Sequence, residues 1–370
     1  MPCGCIQFQS PTEFLYMIDN ANRSRTLVRP KARPWGLIGL SLAATAAFIA
    51  VSCSSLPKDE LEQQLGDLGK NAALGDLKRV AFRADLGEGP QDLELIYHHA
   101  PAQTSGDSVP VVLVHGTPST LFSWTELIYG QPPGDGSQGF AGLSDTRDVY
   151  AIEIIGHGMA PGDASPYSFE RCARFVTAAI QALELDRVHL VGSSYGGEFA
   201  WRAALNEPEL FETLALFDSS GLRRRDGEWL SEEVAMRENS LAKIGWRINS
   251  RDRIESALVP HFREVPPDRV EEFFLVCENA HNWKAMVDLV RDENGGREAE
   301  LSNILVTTLI LWGAEDVAYP IEYYGQGFAD AIPLAELVSL PNAGHYPHEE
   351  RPEEVVQILS SFLDKQRSTR

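Results

Sequence analysis

One stretch of this 370-residue sequence combines a possible nucleophile with a turn that would expose it. The apolar run Val188–Val191 leads into Gly192-Ser193-Ser194-Tyr195-Gly196, a Gly-x-Ser-x-Gly pattern, and an amphipathic helical pattern begins near Tyr195. A sharp turn from strand to helix points the central hydroxyl out of the backbone, and the two glycines leave room for a close approach. Ser194 is therefore the candidate nucleophile.

Chemically useful side chains also follow three other predicted strands. In a mostly parallel sheet, reactive groups gather at the carboxyl ends of the strands. The chain order Ser194, Asp316, His345 is the order expected for a nucleophile, an acid and a base in such an arrangement. The three further segments are His115–Pro118 after Val114, Trp312–Asp316 after Leu311, and Asn342–His345 after Leu340.

These residue types suit nucleophilic catalysis. A hydroxyl is a poor nucleophile near neutral pH and needs a base within hydrogen-bond reach. His345 suits this role because an imidazole can take up and return a proton, and Asp316 would hold its tautomer and stabilise its charged form. His348 is the alternative base. Asp218, after the preceding strand, is the alternative acid, and Asp316 could instead cap a helix.

The elements that would position these groups alternate between strand and helix. Two short strands around Gly87–Pro90 predict an edge hairpin, and Val109–Val114 reads as a strand buried on both faces. Phe169–Leu185 predicts an amphipathic helix. Strands that alternate with helices of this length indicate an α/β fold with a mostly parallel, doubly wound sheet.

The sequence between Asp218 and Leu301 lacks strand alternation. Apolar residues there recur at helical spacing and are interrupted by prolines, which predicts an all-helical insert that covers the strand edge as a lid. Four large side chains of this insert could line an apolar pocket, although their spacing is also typical of a core. They are Phe273, Phe274, Trp283 and Met286.

The amino-terminal region predicts export and a membrane tether. Basic residues precede the almost uncharged run Trp35–Ser52, which is just long enough to span a bilayer. Ala50–Cys53 resembles the lipobox of a bacterial lipoprotein signal. A lipoprotein signal at Cys53, an uncleaved anchor at 35–52 and a buried core helix all remain open. We expect residues 53–77 to be a linker with a short helix, and the catalytic domain to lie in the cell envelope, outside the cytoplasm.

Composition restricts the partners. The sequence has 32 basic and 53 acidic residues and a net charge of −21, which argues against nucleic acid or an anionic membrane surface as a partner. A small-molecule substrate is expected, with no protein partner. The pattern Gly-x-Gly-x-x-Gly, phosphate-binding loops and metal-ligand spacing are missing, so we expect neither cofactor nor metal. Cys172 and Cys277 are expected to be buried thiols.

Five segments carry motifs at the positions where one large enzyme family has its own: Val112–Pro118, Gly156–Gly158, Val191–Gly197, Leu311–Asp316 and Pro341–His345. On these motifs, residues 78–366 resemble the α/β-hydrolase superfamily. The resemblance implies that the backbone N–H groups of Thr117 and Tyr195 bind the oxyanion, with a helix dipole adding positive potential at Tyr195. Glu153 stands where the family usually has Asp, and Met159 where Ser is common.

The expected organisation has four parts. Residues 1–52 form the basic region and apolar segment, and residues 53–77 the linker. Residues 78–221 and 299–370 form the α/β-hydrolase core, and residues 222–298 a helical cap.

The resemblance also narrows the reaction. Family members that open epoxides or remove halide carry Asp at the nucleophile position, where this chain has Ser194. Prolyl aminopeptidase relatives usually show His-Gly-Gly-Pro, a pattern that Thr117 breaks. We expect hydrolysis of a small, partly apolar carboxylic ester through an acyl-enzyme. Hydrolysis of a carbon–carbon bond by the same residues, and a non-catalytic membrane-tethered binding protein, are the alternatives.

Overall fold

The computed structural model describes residues 57–104, 109–133, 138–162, 165–225, 229–240, 242, 249–293 and 296–367. The membrane segment predicted at 35–52 and the lipidation site predicted at Cys53 lie outside these ranges. Within them, no helix is long and apolar enough to cross a bilayer.

A sheet of eight strands forms the centre of the described chain. The strands are β1 (Lys78–Asp85), β2 (Pro90–Ala100), β3 (Val111–Val114), β6 (Val149–Ile152), β7 (Val188–Ser193), β8 (Phe211–Phe217), β9 (Thr307–Gly313) and β10 (Ala335–Leu340), while β4 (Gly130–Gln131) and β5 (Phe140–Ala141) form a separate antiparallel pair. The order of the strands in the sheet is β1-β2-β6-β3-β7-β8-β9-β10. In this sheet the β1–β2 and β2–β6 pairs are antiparallel and all other pairs are parallel.

Burial along the strands explains this order. Every residue of β3 and β7 is buried, as expected for central parallel strands covered by helices on both faces. In β1 exposed and half-buried residues mostly alternate, because this strand lies at an edge and turns one face to solvent. The predicted α/β fold with a mostly parallel, doubly wound sheet is confirmed.

Helices cover the sheet and fill the region between β8 and β9. The helix α3 begins after Ser168, whose side chain caps it by accepting a hydrogen bond from the Arg171 backbone N–H at 3.2 Å. The helices are α1 (Lys58–Gly66), α2 (Thr125–Tyr129), α3 (Phe169–Ala182), α4 (Tyr195–Asn206), α5 (Ser231–Glu238), α6 (Arg251–Leu258), α7 (Pro267–Cys277), α8 (Ala280–Asp292), α9 (Tyr324–Ala331), α10 (Pro347–Glu350) and α11 (Pro352–Arg367). Short 3-10 helices occur at Gly69–Leu74, Leu121–Trp124, Leu143–Asp145, Pro208–Leu210 and Glu298–Asn303.

Residues 57–77, called here the amino-terminal segment, contain the short helix that the sequence predicts for the linker. They form α1 and the 3-10 helix Gly69–Leu74, and their side chains at Leu61, Leu65 and Leu74 are buried. These leucines belong to the same apolar cluster as Leu275 and Val276 of α7. The spacing of four between Leu61 and Leu65 puts both on one helix face, so this segment packs on the domain rather than extending freely from it.

The two cysteines of the described ranges behave as expected. Cys172 in α3 and Cys277 in α7 are free and buried. Burial raises the pKa of the Cys277 thiol to about 12 and that of Cys172 still further. Both thiols are therefore protonated and chemically inert near neutral pH.

Candidate active site

Ser194 stands at a strained turn between β7 and α4. Its backbone has φ 55° and ψ −124°, a conformation that is costly for a residue with a side chain. Backbone hydrogen bonds to both neighbouring elements hold it there, including one from the Glu198 N–H to the Ser194 carbonyl at 3.3 Å. The Ser194 N–H donates to Phe217 O at 2.9 Å, and its carbonyl accepts from the N–H groups of Gly197 at 3.0 Å and Ser220 at 3.2 Å.

The glycines around this turn are required by contact. A Cβ atom at Gly192 would lie 2.3 Å from Gly196 O, and one at Gly196 would lie 2.3 Å from His115 O. At Gly116 a Cβ atom would lie 2.9 Å from the Ser194 Cβ. Strand, helix and the neighbouring loop therefore meet at distances that no larger residue permits.

The structure brings Ser194, His345 and Asp316 together. His345 Nε2 lies 3.0 Å from Ser194 Oγ, and His345 Nδ1 lies 2.7 Å from Asp316 Oδ2. The Nδ1–H donates to the carboxylate, which leaves Nε2 free to accept the serine proton. The exposed fractions of Ser194, His345 and Asp316 are 4%, 1% and 5%, so these hydrogen bonds are shielded from bulk water.

Asp316 is itself held by the turn that follows β9. Its Oδ1 accepts hydrogen bonds from the backbone N–H groups of Ala318 at 2.8 Å and Tyr319 at 3.0 Å. One oxygen thus caps the local turn while the other binds His345. The next helix, α9, begins only at Tyr324, so Asp316 caps a turn and not a helix. Its role as the catalytic acid stays a prediction.

Three aromatic side chains enclose the His345 imidazole. The Tyr319 ring is stacked on it with centroids 5.2 Å apart, and the rings of Tyr346 and His261 lie at 5.0 Å and 5.2 Å. The His261 carbonyl also accepts the His345 backbone N–H at 2.8 Å. Burial, and then the neighbouring His345, lower the pKa of His261 to about 3, so His261 adds no positive charge here.

The alternative base does not contact the serine. His348 is stacked on Trp124 with ring centroids 4.3 Å apart, and its Nε2 lies 3.8 Å from Glu349 Oε1. Burial holds the pKa of His348 well below its usual value. Its surroundings are those of a core histidine.

The alternative acid lies close to the imidazole. The ligating atoms of Asp218, Asp316 and His345 all lie within 4.8 Å of one another, and throughout the described ranges no other group of His, Cys, Asp and Glu side chains is this compact. Asp218 Oδ1 accepts the Gly313 N–H at 2.9 Å. Burial, and then the charge of Asp316, raise the pKa of Asp218 well above its usual value. The sequence presents these two aspartates as rivals, and the structure makes them neighbours.

Thr117 and Tyr195, the predicted oxyanion ligands, both lie next to the serine in the chain or in space. Thr117 follows Gly116, which packs on Ser194, and its Oγ1 lies 2.6 Å from His157 Nε2. Tyr195 is the first residue of α4. In the part of the chain that the structure covers, neither backbone N–H donates to a protein oxygen.

His115 and His157 hold these loops in place. His157 Nδ1 donates to Ile155 O at 3.0 Å, so Nε2 accepts from the Thr117 hydroxyl. Burial lowers the pKa of His157 to about 3. Glu153 is fully buried, lies 3.4 Å from His115 Nε2 and accepts the Leu121 N–H at 3.3 Å.

A buried polar cluster behind the site has no signal in the sequence. Tyr195 donates its hydroxyl to Glu293 at 2.5 Å, and Tyr319 donates to the same carboxylate at 3.1 Å. Arg224 donates to Glu293 at 2.9 Å and to both oxygens of Glu233, at 2.9 Å and 3.1 Å. The cluster links Tyr195, which follows Ser194, and Tyr319, which stacks on His345, to the helical region.

A second buried cluster surrounds Arg269 of α7. The guanidinium lies 2.6 Å from Glu272 and 2.9 Å from Glu349. Glu272 also accepts from the Thr120 hydroxyl at 2.6 Å and from the Asn71 amide at 3.4 Å. One network of ion pairs and hydrogen bonds therefore joins the amino-terminal segment, the loop after β3, α7 and the short helix α10 after His345.

The four large apolar residues of the insert are buried in the core of the molecule. Phe273 packs edge-on against Tyr346 with ring centroids 6.3 Å apart, next to His345. Trp283 donates its indole N–H to Ala242 O at 2.6 Å. Whether any of them also contacts a substrate stays a prediction.

Comparison with known proteins decides the family. Residues 111–358 match the model of the alpha/beta hydrolase family. The chain belongs to this family. The predicted resemblance and the prediction of a hydrolytic enzyme are thereby confirmed.

Individual relatives of this alpha/beta hydrolase are distant. An uncharacterized hydrolase, YugF, of Bacillus subtilis is 27% identical over 272 residues, which cover 68% of this chain and 89% of that protein. A haloalkane dehalogenase of Agrobacterium fabrum is 25% identical over 276 residues, covering 70% and 86%. A solved structure described as a membrane phospholipase A has a TM-score of 0.65 at 25% identity, covering 90% of this chain and 98% of that one.

Proposed function

We propose that this alpha/beta hydrolase cleaves a small, partly apolar carboxylic ester through an acyl-enzyme on Ser194. The observation that carries the proposal is the pair of hydrogen bonds through His345, at 3.0 Å to the Ser194 hydroxyl and at 2.7 Å to the Asp316 carboxylate. The serine is held at φ 55° by its turn, which aims the hydroxyl at the imidazole.

The reaction follows from this geometry in two halves. His345 Nε2 takes the Ser194 proton as the oxygen attacks the ester carbonyl, and Asp316 stabilises the imidazolium that forms. The tetrahedral intermediate collapses, the alcohol leaves with the proton from Nε2, and the acyl group remains on Ser194. Water then attacks the acyl-enzyme with His345 as base, and the carboxylic acid leaves while the serine regains its proton.

The negative charge of the tetrahedral intermediate needs donors that are already in place. The backbone N–H groups of Thr117 and Tyr195 are the candidates, because both stand beside Ser194 and neither is used within the described protein. Tyr195 N–H also belongs to the first turn of α4, where the helix dipole adds positive potential. Each such donor typically contributes about two to three decades in rate.

The side chain at position 194 favours an ester over a halide or an epoxide. Those reactions use a carboxylate that forms an alkyl-ester intermediate, as the family resemblance implies for relatives with Asp at this position. A serine instead forms an acyl intermediate, which water cleaves with the help of the same imidazole. Similarity to the haloalkane dehalogenase is therefore a similarity of fold and not of reaction.

We also propose that the chain acts at the cell envelope, tethered by its amino terminus. The support is the apolar run at 35–52 with basic residues before it and the lipobox-like Ala50–Cys53. The similar structure over 90% of this chain is described as that of a membrane phospholipase. Cell fractionation of the wild type and Cys53→Ala, with labelled palmitate, tests the tether. Unlabelled full-length protein in the cytoplasm would refute it.

The proposed reaction is tested with p-nitrophenyl esters of increasing acyl length, together with a phospholipid and a lysophospholipid. Ser194→Ala should lose roughly four to six decades of turnover on whichever ester the wild type prefers. Thermal melting of both proteins shows that the variant is folded. Equal turnover by the two proteins would remove Ser194 from the reaction.

A further inference from the structure

Asp218 occupies an unusual place at the end of β8. Its backbone has φ 43°, in the left-handed region that a residue with a side chain seldom adopts. Its N–H donates to Leu311 O at 3.2 Å, and its Oδ1 accepts the Gly313 N–H at 2.9 Å. The residue therefore fastens the end of β8 to the end of β9, the strand that leads to Asp316.

The carboxyl groups of Asp316 and Asp218 accept different numbers of hydrogen bonds. Asp316 accepts three hydrogen bonds, from His345 Nδ1 and from the backbone N–H groups of Ala318 and Tyr319. Asp218 is completely buried, and among the described residues no donor reaches its Oδ2. Two buried carboxylates with only one imidazole beside them cannot both be ionised at reasonable cost. The negative charge belongs on Asp316, which has the donors.

A proton on Asp218 would give its unpaired Oδ2 a hydrogen bond to make. An O–H at Oδ2 would donate to the Asp316 carboxylate, which lies within 4.8 Å. Burial, the charge of Asp316 and a hydrogen bond between the two carboxyl groups all raise the pKa of Asp218, well above its usual value. Across the described ranges, no Lys or Arg forms an ion pair with Asp218 that would oppose this shift.

We propose that Asp218 is a positioning residue, a neutral carboxylic acid whose proton is donated to Asp316 and holds that carboxylate against His345. This inference rests on the proposed function, because it assigns Asp218 to the same reaction. Asp316 remains the group that contacts the imidazole. Asp218 acts through it, and does not touch the substrate.

Other titratable groups surround the two carboxyls. Glu350, whose carboxylate accepts the backbone N–H groups of Gly344 at 2.9 Å and Arg263 at 3.1 Å, adds negative charge and favours the neutral form of Asp218. Arg263 is itself paired with Glu315 at 2.7 Å. Further titratable side chains of the described residues near His345 include Tyr319, Tyr346, His261 and His348, and Arg224 contacts the Tyr319 hydroxyl.

The test compares three variants of the full chain: Asp218→Asn, Asp218→Ala and Asp316→Asn. An asparagine imitates the neutral acid, since its amide oxygen can accept from Gly313 and its NH₂ can donate to Asp316. Asp218→Ala should lower kcat about 10-fold with KM within about twofold, and Asp218→Asn should recover most of that loss. Asp316→Asn should cost about four decades.

The pH profile separates positioning from a merely structural role. The acidic limb of kcat/KM reports the free enzyme's base. If Asp218 is neutral, Asp218→Asn exchanges one neutral group for another, and the midpoint of this limb stays within about 0.3 pH units. If Asp218 is ionised, the change removes a negative charge near His345, and the midpoint falls by about one unit or more. The second result would overturn the proposal.

A stability measurement gives an answer that does not depend on turnover. A carboxyl whose pKa is raised in the folded state costs stability as pH rises above the unfolded value, about 3.8 to 3.9. The melting temperature of Asp218→Asn should therefore exceed that of the wild type by a margin that grows from pH 5 to pH 8. A margin that shrinks or reverses would contradict a neutral Asp218, whatever the outcome for Ser194→Ala.

Discussion

The ring of Tyr319 is stacked on the imidazole of His345, with centroids 5.2 Å apart and planes 20° from parallel. The backbone of the same tyrosine donates to Asp316, and its hydroxyl donates to Glu293. Tyr319 thus contacts both His345 and Asp316, and links them to the buried Arg224 cluster. Its position limits the orientations that the imidazole can adopt.

Substitution of Tyr319 should separate these contacts. Tyr319→Phe keeps the stacked ring and removes only the hydroxyl, so kcat should stay within about threefold while unfolding becomes easier by about 1–2 kcal/mol. Tyr319→Ala removes the ring and should lower kcat by about 10-fold or more, because the imidazole is no longer held. Ester turnover and urea unfolding of both variants check this. Equal kcat for the two would show that the ring is dispensable.

The buried Arg269 should be essential for stability. Arg269→Met leaves Glu272 and Glu349 as buried carboxylates without their cation, which should cost about 3–5 kcal/mol. Arg83→Met breaks the exposed pair with Asp92 and should change stability by less than about 1 kcal/mol. Urea unfolding at pH 7 compares them. Similar losses for both would mean that burial of the Arg269 pairs does not matter.

The amino-terminal segment should stabilise the domain. Leu61→Ala and Leu65→Ala remove side chains that are completely buried, and each should cost about 2–5 kcal/mol. Gln63→Ala on the exposed face of the same helix should stay within about 0.5 kcal/mol. Thermal and urea unfolding measure these differences. If all three variants matched the wild type, α1 would be a tether that does not pack in solution.

Gly196, the last residue of the Gly-x-Ser-x-Gly turn, should tolerate no side chain. Gly196→Ala puts a Cβ atom 2.3 Å from His115 O and 2.4 Å from Val114 O, so β3 and α4 must move apart. We expect ester turnover to fall at least about 100-fold. Gly66→Ala, at a position with no atom within 4 Å of the new Cβ, is the control and should leave turnover intact. Wild-type activity of Gly196→Ala would mean that the turn can open.

Local patterns predicted which side chains would meet at the sheet edge better than they predicted the contacts that support those side chains. Ser194, Asp316 and His345 could be found because each follows an apolar strand, and parallel strands bring their carboxyl ends to one edge. The sequence could not decide which of Asp218 and Asp316 pairs with His345, since both follow such a strand. The 2.7 Å distance from His345 Nδ1 to Asp316 Oδ2 decides it. Their positions in the sequence do not favour either aspartate as the partner of His345.

Contacts between distant segments left no mark on the sequence. Glu272 lies one turn after Arg269 on α7, so helical spacing could have paired these two. Glu293, which binds Arg224, and Glu349, which binds Arg269, lie on other elements far along the chain, and neither periodicity nor spacing pairs them. The amino-terminal segment is polar enough to be interpreted as a linker. Its leucines are buried because α7 packs against them, and the sequence of the segment does not show this contact.

The most direct test of the central claim is to map the adduct of a fluorophosphonate, which traps an activated serine. We predict one adduct per chain, on the peptide that contains Ser194, with ester turnover lost in proportion to labelling and no adduct in Ser194→Ala. Esters turned over at an undiminished rate by the labelled protein, or an adduct on any other residue that accounts for the loss, would contradict a nucleophilic Ser194.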